Sequence, residues 1–137
     1  MKGVNWLGLV LALIASQAIG FVWYGLVFET RWLALSGVDP ATANATASMI
    51  WGTVDALVVV VGLALAIPAL GKTTLMGGAT VGLAAAVFFA IPTLAFDVVY
   101  GAEPIELLAI EAGYLLVYYM VAGALIGGVT LRRTVTA

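Results

Sequence analysis

Long apolar runs separated by short polar clusters dominate the chain. Four runs stand out, at residues 4–28, 47–70, 75–96 and 104–129. A helix needs about 20 apolar residues to cross a hydrocarbon core of about 30 Å, and each run is long enough. None alternates strictly over about ten residues, the pattern of a barrel strand. The prediction is an all-α fold: a single integral membrane domain over 1–137, an antiparallel four-transmembrane-helix bundle with an outer loop at 29–46.

Composition sharpens this picture. Of 137 residues, 64% are apolar and 9% charged, against about 45–50% and 25% in a soluble domain. A chain this short cannot bury so much apolar surface by itself, so the lipid bilayer is its expected partner. There is no Cys and no His. Disulfides, thiol nucleophiles, His/Cys zinc sites and Ser-His-Asp triads are thereby excluded. No cofactor and no metal site is expected. The few Lys and Arg are scattered, which argues against nucleic acid. Lys2, Lys72, Arg132 and Arg133 fall on one side of the four-span layout and Arg31 on the other. The positive-inside rule then puts both termini in the cytoplasm of a cell inner membrane. Lys2 followed by Ser16-Gln17-Ala18 has the outline of a cleavable signal. The apolar run continues through Ile19 to Trp23, however, beyond the 7–15 residues of a signal core, and no cleavage is expected.

Loops and helix ends carry further signals. Asp39-Pro40 reads as an N-cap followed by Pro at the first helical position, so the second helix is expected to begin near Pro40 and enter the membrane near Ala47. Residues 71–74 form a tight turn. Gly101 is the expected flexible point of the turn at 97–103, and Pro104 fits the first turn of the last helix. Glu103 and Glu106 complement that helix's dipole. Trp32, Leu33 and Leu35 are placed in the outer interface. Pro92 should bend the third helix and free the carbonyl of Phe88 for a polar partner. Small residues recur every fourth position: Gly8, Ala12, Ser16 and Gly20; Gly78, Gly82, Ala86 and Ala90; Gly123 and Gly127. Such ridges permit close helix approach. They are expected to pack the bundle or, alternatively, to form a homo-oligomer face.

The candidate chemistry lies in polar side chains at membrane depth. An ionisable group there costs about 2.5–3.5 kcal/mol on insertion scales and usually faces a bundle interior or a water-filled cavity. Counting about 1.5 Å per residue from the outer helix ends, Asp55 lies about 13 Å deep, Glu111 about 10 Å and Gln17 about 15 Å. Glu111, Tyr114 and Tyr118 share a helix face at i, i+3 and i+7, and Gln17 and Tyr24 share another. Gln17, Tyr24, Asp55, Glu111 and Tyr114 are the predicted binding residues of a pocket open to the outside. The alternative is that the two acids act as packing groups, hydrogen-bonded across the bundle.

Several residues together carry a resemblance. Asn5-Trp6-Leu7 opens the first helix, Gly20 and Trp23-Tyr24 close it, and Phe28, Trp32 and Gly37 follow. Ala112-Gly113-Tyr114 and the Gly123 to Gly127 segment come late. In that order and spacing the chain resembles a small bacterial membrane family, domain of unknown function 1761. The resemblance implies a four-helix inner-membrane protein and carries no activity. The chain departs from the family pattern at Glu111, where Asn is common, and at Gly25-Leu26, where Ser-Pro is common.

Two functions follow as expectations. The first is proton- or cation-linked transport of a small solute through the acidic pocket. The alternative is a non-catalytic scaffold or accessory subunit bound to another membrane protein. No enzyme is expected: G-x-S-x-G is absent, and no basic cluster in the outer half could hold a phosphate headgroup. Lys72-Thr73-Thr74 lacks the glycine spacing of a P-loop and reads as a turn.

Overall fold

A computed structural model describes residues 4–129. Lys2, Arg132 and Arg133, on which the orientation argument leans, lie outside them. The described chain is helical, with no strand among these residues. Helix α1 covers Trp6–Val27 and α2 Glu29–Ser36; α3 covers Ala45–Ala69, α4 Leu75–Gly101 and α5 Ile105–Gly128. All but α2 are long and apolar enough to cross a membrane.

Each start has a chemical cause. Asn5 accepts from the backbone N–H of Gly8, Asn44 from that of Ala47, and Thr74 from that of Gly77, each at 3.0 Å. These side chains satisfy N–H groups that a first turn leaves unpaired. Helix α3 thus begins at Ala45 and not near Pro40. Asp39 caps a separate turn, accepting from the N–H of Ala41, and its carbonyl accepts from Thr42 and Ala43. The turn is then complete, and Asn44 starts the helix afresh. Gly37 ends α2 in the left-handed region at φ 69°, where glycine carries no Cβ penalty.

Two spans contain a wide π turn. In α1 it covers Trp23–Val27, and the N–H of Phe28 donates to the carbonyl of Trp23. In α4 it covers Ala86–Ala90, immediately ahead of Pro92. Pro92 therefore acts through a widened turn rather than a simple bend. The hydroxyl of Thr93 donates to the carbonyl of Phe89, 2.7 Å away, one residue from the one expected to be freed. Helix α4 runs on to Gly101, and the turn that follows is made by Ala102 at φ 56°, not by Gly101. The N–H of Glu103 closes that turn on the carbonyl of Asp97. Pro104 precedes α5 as an extended N-cap residue.

Helix α5 is the hub, packing against each of the other four helices. Its closest neighbour is α4. A Cβ at Gly78 would fall on the carbonyl of Gly123, and one at Gly82 on that of Tyr119. On another side, a Cβ at Gly8 of α1 would stand 2.6 Å from the carbonyl oxygen of Leu125. The small-residue ridges are therefore used inside the chain. Gly8, Ala12, Ser16, Gly78, Gly82, Gly123 and Gly127 are all buried, and Gly20 and Ala90 at the ridge ends are half-buried. Asn5 fastens the same crossing by donating to the carbonyls of Ile126 (2.7 Å) and Val129. The core between α1, α3 and α5 holds Leu9, Ala12, Val60, Leu63, Ile67, Tyr118, Ala122 and Ile126. The outer faces carry large apolar side chains such as Val58, Phe88 and Phe89, exposed by two thirds or more, as expected of surfaces that meet lipid.

Candidate functional site

The end of the bundle where α1 passes into α2 is assembled by the π turn of α1. It holds Trp23 against α5, where the indole N–H donates to the carbonyl of Ile110 at 3.0 Å. Space for the indole comes from Gly113, since a Cβ there would stand 2.8 Å from the ring. The next residue, Tyr24, packs its ring 5.0 Å from that of Tyr114 and 5.4 Å from that of Trp32. From Tyr114 the rings continue to Tyr118 and Tyr119, at 5.7 and 5.2 Å. Five aromatic rings thus form one ladder down the bundle. Tyr118 is 2% exposed, and its hydroxyl donates to the carbonyl of Ala56 on α3, so the ladder's fourth ring is anchored rather than left with an unpaired polar atom.

Helix α2 lies over this end, held by two contacts. The guanidinium of Arg31 makes a bidentate pair with Glu106 at 2.5 Å. Both side chains are about half exposed, so the pair fixes geometry more than it stabilises. Glu106, within the first turn of α5, serves as a tether as well as a dipole partner. Trp32 turns inward instead of lying free in the interface, and its indole N–H approaches Glu111 at 3.4 Å.

Of the five predicted site residues, the structure brings together Tyr24, Glu111 and Tyr114, all half-buried. Gln17 and Asp55 stay outside that group and are both exposed, Gln17 toward Thr53 of α3 and Asp55 on the face of α3 that it shares with Val59, Gly62 and Ala66 at i+4, i+7 and i+11. The reason is helical phase. Ser16 and Ala56 occupy the buried positions, and one residue's step of 100° carries Gln17 and Asp55 outward. The Thr53 hydroxyl approaches the side-chain amide oxygen of Gln17 at 3.5 Å, on the other side of α3 from Asp55. The expected equal depth also changes. Trp23 lies beside Ile110, so Glu111 sits level with the start of the π turn of α1, about 9 Å nearer to α2 than Gln17 at 1.5 Å per residue. Glu111 is within electrostatic reach of Asp97 and Glu103, whereas Asp55 reaches Tyr114, Tyr118 and Tyr119. The two acids belong to different neighbourhoods joined by Tyr114.

Sequence reasoning missed three participants. Trp32 was assigned to the interface, although its spacing from Tyr24 across a short helix allowed an inward turn. The Arg31–Glu106 pair had a visible signal: Arg31 is the one cation in the outer loops, facing an acid in a first helical turn. Thr53 carried no signal apart from its proximity to Asp55 in sequence.

The profile of the family described as a protein of unknown function, DUF1761, matches residues 7–127. The chain belongs to the DUF1761 family. No curated protein and no solved structure matches it. The residues that carried the resemblance to DUF1761 now have physical roles: Asn5 staples α1 to the end of α5, Trp23-Tyr24 forms the upper ladder, and Ala112-Gly113-Tyr114 supplies the ladder's partner and the indole's space. At Glu111 this chain presents a carboxylate to Trp32.

Proposed function

We infer that the protein serves proton- or cation-linked movement of a small solute across a cell inner membrane, with both termini cytoplasmic and Asp55 as the ionisable group. The observation carrying this reading is the exposure of Asp55 on a single chain at membrane depth. Helix α3 has 25 residues, about 37 Å at 1.5 Å per residue. Centred on a core of about 30 Å, it holds Asp55 about 11 Å below the outer boundary. A carboxyl facing lipid there costs several kcal/mol. The cost is relieved when a second copy covers the outer half of the α3 face that carries Asp55 and encloses a polar path between chains. Neither Lys nor Arg occurs on α3 to neutralise Asp55, so its proton or a bound cation must do so. Glu111, Tyr24 and Tyr114 form the outward vestibule, under α2.

The test is proton flux in proteoliposomes carrying an internal pH dye. Asp55→Asn should abolish pH-driven flux while far-UV circular dichroism stays unchanged. Gln17→Ala should weaken it. Unaltered flux in Asp55→Asn would refute the reading. A second reading, the non-catalytic accessory subunit, is favoured by one observation: the face of α3 that continues beyond Asp55 opens on an apolar cleft rather than on a polar path. In that case a foreign membrane protein covers the Asp55 face. Purification in mild detergent then yields a stoichiometric second protein, lost on Asp55→Leu, and no flux.

A further inference from the structure

Helices α3 and α4 are consecutive and joined by a tight turn, yet they part from one another. Gly78 and Gly82 draw α4 onto α5, and the opposite face of α4 is left separated from α3. The result is a cleft of about 900 Å³. Its walls include Val59, Leu63 and Ala66 of α3 and Val81, Phe88 and Phe89 of α4. Along α4 it runs from Met76 to Phe89 and along α3 from Val59 to Leu70, about 17–20 Å at 1.5 Å per residue. Half of a 30 Å hydrocarbon core is about 15 Å, so the cleft spans one leaflet.

Its mouth has a different chemistry. Lys72 lines that end together with Gly71 and Thr74. Among the described residues Lys72 pairs with no carboxylate. Thr74 caps α4, whose first turn holds no acid, so the partial positive charge of the helix start is directed to the same place. An apolar slot one leaflet deep, ending in a lone ammonium at headgroup level, matches an amphiphile with an anionic head.

We propose that this cleft binds one anionic phospholipid, with an acyl chain between α3 and α4 and the headgroup phosphate on Lys72. A second copy is the poorer occupant. A two-fold dimer across this face joins identical ends of the bundle and so brings two Lys72 ammonium groups to one rim with no acid between them. The lipid brings the opposite charge and a chain that fits the slot. Asp55 lies one turn beyond Val59 on the same face of α3, past the end of the slot away from Lys72; the lipid test reads Lys72 and Gly62 and leaves the transport reading to its own flux test.

Native mass spectrometry of the detergent-purified protein tests this directly. Phosphatidylglycerol and phosphatidylcholine with identical chains serve as probes. Wild type should retain one phosphatidylglycerol per chain in preference to phosphatidylcholine. Lys72→Ala should lower that preference about fivefold, the effect of one Lys near an anionic surface, with phosphatidylcholine retention unchanged. Lys72→Arg should restore it. Gly62 lines the slot and has open space where a Cβ would stand, so Gly62→Leu folds normally and should reduce retention of both lipids. Equal retention of the two lipids by wild type would overturn the proposal. So would phosphatidylglycerol binding that is indifferent to both Lys72→Ala and Gly62→Leu, or a lipid-free dimer protected across the cleft.

Discussion

Replacing Gly82 by Ala probes the closest approach in the molecule. A Cβ at Gly82 would stand 2.7 Å from the carbonyl carbon of Tyr119 and nearer still to its oxygen. Ordinary carbon contacts are about 3.5–4.0 Å, so α4 and α5 must separate by about 1 Å. The obstacle is backbone, and no rotamer change relieves it. Overpacking costs about 1–3 kcal/mol. A gap of this size also forfeits a quarter to a half of the dispersion attraction of the atoms it parts, which places the cost near 3 kcal/mol. Alanine returns about 1 kcal/mol of helix propensity, leaving a net loss of about 2 kcal/mol. Gly62 provides the control, because it lies within a span with nothing within 4 Å of its Cβ position. Gly62→Ala should gain up to about 1 kcal/mol from propensity alone. The difference between the two variants, about 3 kcal/mol, isolates the clash. Titration with sodium dodecyl sulfate in mixed micelles, followed by far-UV circular dichroism, reads it as a shift in unfolding midpoint. Equal midpoints for Gly82→Ala and Gly62→Ala would refute the close packing of α4 on α5.

Other expectations follow from single contacts. Asn5→Ala removes a helix cap and two bonds to the end of α5, lowering stability by about 2 kcal/mol; Asn5→Asp, which keeps the cap, should fall between it and wild type in the same titration. Trp23→Phe loses the bond to Ile110 at a cost of about 1 kcal/mol, measured by thermal unfolding in detergent. Ala102→Gly relieves a left-handed alanine and should raise stability by up to about 1 kcal/mol; a decrease would contradict the observed turn. Arg31→Ala should leave the unfolding midpoint unchanged while speeding chymotryptic cleavage near Phe28 and Trp32, because only the tether of α2 is cut.

The spans were legible because their signal is long: some twenty apolar residues in a row have few alternative structures. Local choices were less so. Both Asp39 and Asn44 are good caps, and hydropathy does not distinguish a turn closed by Asp39 from a helix begun there. Pro92 predicted a disturbance in α4 but not its form, since widening the turn upstream of Pro is an alternative to bending. Gly101 looked like the natural left-handed residue, yet the turn's closure on Asp97 placed that conformation at Ala102. For the site, spacing on α5 correctly grouped Glu111 with Tyr114. The same arithmetic failed across helices, because depth counted from helix ends ignores register. The contact of Trp23 with Ile110 sets α1 against α5, and with it the offset between Glu111 and Gln17. The small-residue ridge of α1 already placed Ser16 inward, and the structure buries it; putting Gln17 in a shared pocket with Tyr24 overlooked that neighbouring residues point about 100° apart.

The hub position of α5 has a consequence for biogenesis. The segment that organises the bundle is the last of the five helices to leave the ribosome. Until it arrives, α4 has no glycine-lined partner, Trp23 has no carbonyl to bond and Asn5 has only its own helix to cap. The earlier spans must therefore wait in the bilayer with only the contacts of α3 to α1 and α4 between them, until α5 joins. A chain truncated before Pro104 would retain three insertable spans without the helix that packs against all of them, an obvious target for membrane proteases.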